Sequence, residues 1–131
     1  HMVVGTHGST FGGNPLAMAV GNVVYDELSK PGFMDEVVDI SNKLRQALSG
    51  LADEHSDKVE ELRGRGLLVG LKLKDGYGNR TLVGKARDHH LLMGAAGDNV
   101  ARMAPPLIIN EDHVREAVSA LDKALGALQP E

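Results

Sequence analysis

Two short stretches of this 131-residue chain carry side chains that could do chemistry. The first is GTHGSTFGGNP, residues 5–15. Four glycines and one proline leave it no capacity to build a core, while Ser9 and Thr10 offer hydroxyl donors and His7 a ring donor. It leads into Asn14-Pro15, a good N-cap followed by a residue suited to the first helical position. Free backbone N–H groups and the helix dipole make such a junction attractive to anions, phosphate above all. It lacks the Gly-Lys-Ser/Thr of a Walker loop and the preceding strand and GxGxxG of a dinucleotide fingerprint. On spacing alone, an anion loop and a flexible leader capped by Asn14 both stay open. The second stretch is VARMAPPL, residues 100–107, where Arg102 stands alone in an apolar strand before two prolines. A guanidinium there can bind a carboxylate or another anion through two parallel hydrogen bonds, or make a surface ion pair. The bidentate role is the expectation, because few strands accept an unpaired Arg.

Other polar residues promise less. His89 and His90 are adjacent, and neighbouring residues rarely offer two metal ligands on one face, so no metal site is expected. Arg63 and Arg65 flank Gly64 in a turn, where solvated or structural roles fit. Met18, Met34, Met93 and Met103 read as core fillers. With no Cys there is no disulfide framework or thiol nucleophile. The net charge of −4 argues against broad binding to nucleic acid or an anionic membrane. The longest apolar runs fall far short of the roughly 20 residues of a membrane helix. No basic segment leads into an apolar stretch near the start, so cytoplasm is the expected compartment. His1-Met2 has the form of a tag scar before a start codon, and makes a fragment of a longer protein a live expectation.

The elements that must position these residues follow from periodicity. Leu16, Val20, Val24 and Leu28 recur every four residues and predict a helix over 15–29, with Gly21 inside it. Lys30-Pro31-Gly32 breaks it. Phe33, Val37, Ile40, Leu44, Leu48 and Leu51 form one stripe of a helix over 33–54. The period then shortens, predicting strands at 59–63 and 66–73, a turn at 74–79 and a short helix over 80–90. Strands at 91–96 and 100–105 flank a tight turn at Gly97-Asp98-Asn99. A last helix starts after the Asn110 cap and runs to Leu128. The order fits an α+β layer, a small, mostly antiparallel sheet with helices packed on one face.

The block GTHGSTFGGNPLAMAVGNVV closely resembles a signature of class III (subgroup II) aminotransferases, which use pyridoxal 5′-phosphate. The likeness continues through ELRGRGLLVGLKL and LLMGAAGDNVARMAPPLII to the closing helix, and is strongest to the acetylornithine/succinylornithine branch. It implies the last third of such an enzyme: residues 1–30 as the cofactor-phosphate loop and interdomain helix at the end of the large domain, and 31–131 as the C-terminal small domain of the fold type I architecture. By the same resemblance, Thr10 binds the cofactor phosphate of the other subunit across a homodimer interface. Ser9 lies at the substrate, and Arg102 stands beside the active site, pairing with an acidic residue or the substrate carboxylate. The implied reaction moves the δ-amino group of N2-acetylornithine to 2-oxoglutarate, a step of arginine biosynthesis. The family's Schiff-base lysine precedes the GTHGST block, whereas lysines 30, 43, 58, 72, 74, 85 and 123 follow it. No catalytic residue is therefore assigned here, and the chain alone is expected to be inactive. Ornithine, succinylornithine and 4-aminobutyrate transaminases are neighbouring possibilities. A free-standing anion-binding α+β module is the alternative of another class.

Overall fold

The computed structural model of the chain describes residue 3 and residues 8–130. His1, Met2 and His7 thus lie outside the described residues. The chain divides into two compact units, residues 1–35 and 36–131.

In the first unit, helix α1 spans Pro15–Leu28 with Pro15 at its start. The Asn14 Oδ1 accepts a hydrogen bond from the Ala17 N–H at 2.9 Å, and its Nδ2 donates to the Phe11 carbonyl at 2.7 Å. Asn14 thus satisfies one orphan donor of the helix and folds the preceding turn back on itself. The four-residue repeat is present, but α1 buries none of its residues. Leu16, Val20 and Val24 are all exposed, and so is Met18, against the expectation that it fills a core.

Helix α2 (Phe33–Glu54) leads into β1 (Val59–Arg65) and β2 (Leu68–Leu73), then α3 (Asn79–Asp88), β3 (Gly94–Ala96), β4 (Val100–Met103) and α4 (Glu111–Gly126). The four strands form one antiparallel sheet in the order β1-β2-β4-β3. Val69, Leu71 and Leu73 of β2, with Ala101 and Met103 of β4, meet Ile40, Leu44, Leu48 and Leu51 of α2, Leu82 and Ala86 of α3, and Val114, Leu121, Ala124 and Leu125 of α4. This single aliphatic core explains why so few aromatics suffice; each fully buried leucine contributes about 1.5–3 kcal/mol. Met103 belongs to it and Met93 packs against it, whereas Met34 is exposed because α2 buries side chains only from Ile40 onward.

The helix ends show why the elements stop where they do. Asn110 accepts from the His113 N–H and donates its own N–H to His113 Nδ1, each at 3.1 Å, a reciprocal cap at the start of α4. At the end of α3, His90 adopts φ 63°, while Leu91 N–H reaches the Ala86 carbonyl and His90 N–H that of Arg87. This is a Schellman closure with His where Gly is usual. Residues 91–93 are its exit, so the strand expected at 91–96 is confined to 94–96.

Candidate functional site

Ser9 and Thr10 stand on the loop before α1, and both are exposed. A Cβ at Gly12 would lie 3.0 Å from the Ser9 Cβ, tighter than an ordinary contact, so the missing side chain lets the loop close on Ser9 without displacing it. Gly13, with φ 77°, then turns the chain into the Asn14 cap. No acidic residue occupies the first turn of α1, which leaves the positive end of its dipole uncompensated. Two hydroxyl donors beside such a helix start are a donor set suited to a phosphate dianion, and a group ending in phosphate fits it.

Arg102 stands in the second unit, on β4, an interior strand of the sheet. Directly paired residues of an antiparallel sheet point to the same side. One row across the open face therefore reads Arg63, Gly70, Arg102, Gly94, from β1 through β2 and β4 to β3. Arg102 is exposed, and its guanidinium has no hydrogen-bond or ion-pair partner among the described residues. The nearby carboxylates are already taken. Arg63 binds Glu61 at 3.1 Å and also pairs with Asp98, and Lys72 binds Glu60 at 2.9 Å. The Arg63 hydrogen bond and the Lys72 charge hold the Asp98 carboxyl below its usual range. Arg63 is thus held in ion pairs, but it, Gly64 and Arg65 lie within β1 and pair with β2 rather than forming the expected turn, which falls after Arg65.

Sequence reasoning missed the pair that fixes the β3–β4 hairpin. Asp98 and Asn99 have φ of 54° and 55°, the two left-handed residues of a type I′ turn, which Asn and Asp tolerate better than most. Asn99 Oδ1 accepts from the Asn79 N–H at 2.9 Å, and Asn99 Nδ2 donates to the carbonyls of Tyr77 at 2.8 Å and Leu73 at 3.2 Å. Asn79 Nδ2 in turn donates to the carbonyls of Ala96 at 2.8 Å and Val100 at 2.9 Å. Gly78, the N-cap of α3, has no side chain to cap with, so Asn99 caps that helix from twenty residues away. The Gly-Asp-Asn run signals the turn but not its second use.

Residues 1–125 match the family Aminotransferase class-III. The chain belongs to the class-III aminotransferases. It is 48% identical over 95% of its length to acetylornithine aminotransferase 1 of Bradyrhizobium diazoefficiens, of which it covers 30%. In three dimensions it is similar to the ornithine aminotransferase of Toxoplasma gondii, with a TM-score of 0.80 and 31% identity over 96% of this chain and 30% of that one. That enzyme carries pyridoxal phosphate at partial occupancy in its active site. The acetylornithine aminotransferase of Elizabethkingia anophelis matches with a TM-score of 0.78 and 29% identity, over 95% of this chain and 33% of that one. The chain thus spans about a third or less of the length of the relatives it matches. Within this class-III aminotransferase segment, five of the seven lysines are held by carboxylates or carbonyls: Lys30 by Glu27, Lys43 by Asp39 and Glu111, Lys58 by the Leu125 carbonyl, Lys72 by Glu60 and Lys74 by the Ser56 carbonyl. Lys43 and Lys72 are pushed further toward the charged ammonium by their acidic partners, the reverse of what an amine nucleophile needs.

Proposed function

We propose that this chain is the C-terminal part of an acetylornithine aminotransferase, with residues 1–30 closing its large domain and 31–131 forming its small one. The reading is carried by an Arg102 guanidinium with no partner among the described residues, in a chain 48% identical to such an enzyme. The reaction is a ping-pong transfer of the δ-amino group of N2-acetylornithine to 2-oxoglutarate, giving glutamate. Pyridoxal phosphate, when bound, supplies the electron-withdrawing ring that carries the amino group between the two substrates. Three residues of this chain then have defined tasks. The Thr10 hydroxyl donates to the cofactor phosphate of the neighbouring subunit in a homodimer, with the uncompensated start of α1 favouring the same charge. Ser9, its neighbour on the loop, contacts the substrate. Arg102 grips a substrate carboxylate by two parallel N–H donors, which fixes the direction in which the rest of the substrate extends.

The Schiff-base lysine belongs to the portion of the relatives that this chain does not cover, so residues 1–131 alone are assigned no turnover. A cytoplasmic homodimer in arginine biosynthesis completes the reading. The full-length enzyme, assayed against 2-oxoglutarate with acetylornithine, ornithine, succinylornithine and 4-aminobutyrate, tests it. The highest kcat/KM is expected for acetylornithine, and a tenfold preference for any of the others overturns the substrate assignment.

A further inference from the structure

The row Arg63–Gly70–Arg102–Gly94 leaves the central Arg between two residues without side chains. The two glycines are not equivalent. At Gly70 the room is already filled: a Cβ there would come within 2.5 Å of Val100 Cγ1. At Gly94 a Cβ would meet only Arg102, with Nη2 at 3.7 Å, Nε at 3.9 Å and the Arg102 carbonyl at 4.0 Å. The guanidinium therefore lies over the bare backbone of β3, toward that edge of the sheet. No other residue supports its charged end, since it has no hydrogen-bond or ion-pair partner among the described residues.

We propose that Gly94 is a specificity-determining residue, the floor on which Arg102 lies and which sets the direction from which it meets a substrate carboxylate. This rests on the reading of Arg102 as the carboxylate-binding group. The distances fix what substitution does. A methyl at 94 would sit in ordinary van der Waals contact with the guanidinium and leave it in place. A γ-branched or β-branched side chain reaches about 1.5 Å further, one carbon–carbon bond, into the space the guanidinium now occupies. Arg102 must then lift off the sheet, and its two donors no longer present the same fork. The atoms nearest a Cβ at 94 all belong to Arg102, so the first contact a larger side chain makes there is with that residue.

The test uses the full-length holoenzyme. Gly94→Leu should raise KM for the carboxylate-bearing donor at least tenfold while kcat changes less than threefold, and Gly94→Ala should stay within twofold of wild type in both. Gly94→Val, whose β-branched chain suits an edge strand, replaces the Leu variant if that one melts early. Arg102→Ala separates the two ideas. If it raises KM strongly while Gly94→Leu and Gly94→Val do not, the role of Gly94 is refuted and that of Arg102 stands. If Arg102→Ala leaves KM unchanged, the reading of Arg102 fails, and the proposal for Gly94 with it. Equal losses in Gly94→Ala and Gly94→Leu would also overturn the proposal, because size would then not matter.

Discussion

Asn99→Ala should be among the most damaging single substitutions outside the aliphatic core. The side chain makes three hydrogen bonds, accepting one from the Asn79 N–H and donating to the Leu73 and Tyr77 carbonyls. A net contribution of about 0.5–1 kcal/mol each, the lower half of the usual range because the site is only part-buried, gives a loss of about 1.5–3 kcal/mol. The left-handed backbone at φ 55° adds about 1 kcal/mol for Ala, which has no means of offsetting the strain. Asn99→Gly removes the same bonds without that strain and should therefore cost about 1 kcal/mol less than Ala. Asn99→Asp keeps the acceptor for Asn79 but sets carboxylate oxygens against two carbonyls, so it should not rescue. Urea denaturation of the chain followed by circular dichroism gives all three values, and a loss of about 2.5–4 kcal/mol lowers the melting temperature by about 10 °C or more in a domain of this size. If Ala and Gly both cost under about 1 kcal/mol, the remote cap contributes nothing and the hairpin is held by its strand pairing alone.

Three other substitutions or conditions give equally direct outcomes. Gly64→Ala should cost about 2 kcal/mol or more, since φ is 110° and a Cβ would lie 2.1 Å from the Leu68 carbonyl oxygen; a neutral result in the same urea titration would show that β1 can relax there. Asp98 is held below the usual carboxylate range chiefly by its bond to Arg63, and Glu111 by its bond to Lys43. Their stabilisation is therefore complete above the unfolded carboxylate value of about 4 and lost as pH falls through the lower folded values. The double variant Asp98→Asn, Glu111→Gln should lose less of its urea midpoint between pH 6 and pH 2 than the wild type, and an unchanged acid slope would contradict the pairing. In the full-length enzyme, Thr10→Ala should raise the cofactor Kd by about ten- to a hundredfold, one charged hydrogen bond. A mixed dimer of that subunit with one lacking the Schiff-base lysine should still hold cofactor tightly at one site; finding none would refute the contribution across the interface.

Much of this architecture is legible from periodicity because the core is aliphatic and confined to one unit. The Ile40, Leu44, Leu48, Leu51 stripe and the Val114, Leu121, Leu125 stripe name the helix faces that the sheet buries, and Asn110 and Asn14 name two caps by residue type alone. The failures have particular causes. Met18 and Met34 carry the composition of a core but lie in a stretch where none of the described residues is buried, and periodicity reports an apolar face without reporting what covers it. The strand expected at 91–96 shortens to 94–96 because a helix can end on a left-handed His as well as on Gly, and His90 gives no local warning of it. The turn residue Asn99 is legible, but its cap on α3 and the bonds of Asn79 are not, because their partners are carbonyls and an N–H about twenty residues away, which no spacing rule encodes.

The freedom of Arg102 follows from the same arrangement. This chain has more carboxylates than cations, 18 Asp and Glu against 14 Lys and Arg, so an arginine on the open sheet face is not left unpaired for want of acids. Glu60, Glu61 and Asp98 are drawn instead to Lys72 and Arg63. The type I′ turn brings Asp98 to Arg63 of β1, and the Asn99 clamp holds that turn on α3. A shift of β4 by one residue would send Arg102 into the core and Ala101 to solvent. The hairpin clamp, the ion pairs and the two flanking glycines therefore act on one outcome, an arginine fixed in register yet unpaired among the described residues. Within the fold, that is the condition under which a guanidinium can exchange water for a carboxylate without first breaking an internal salt bridge, which is what the role proposed for Arg102 requires.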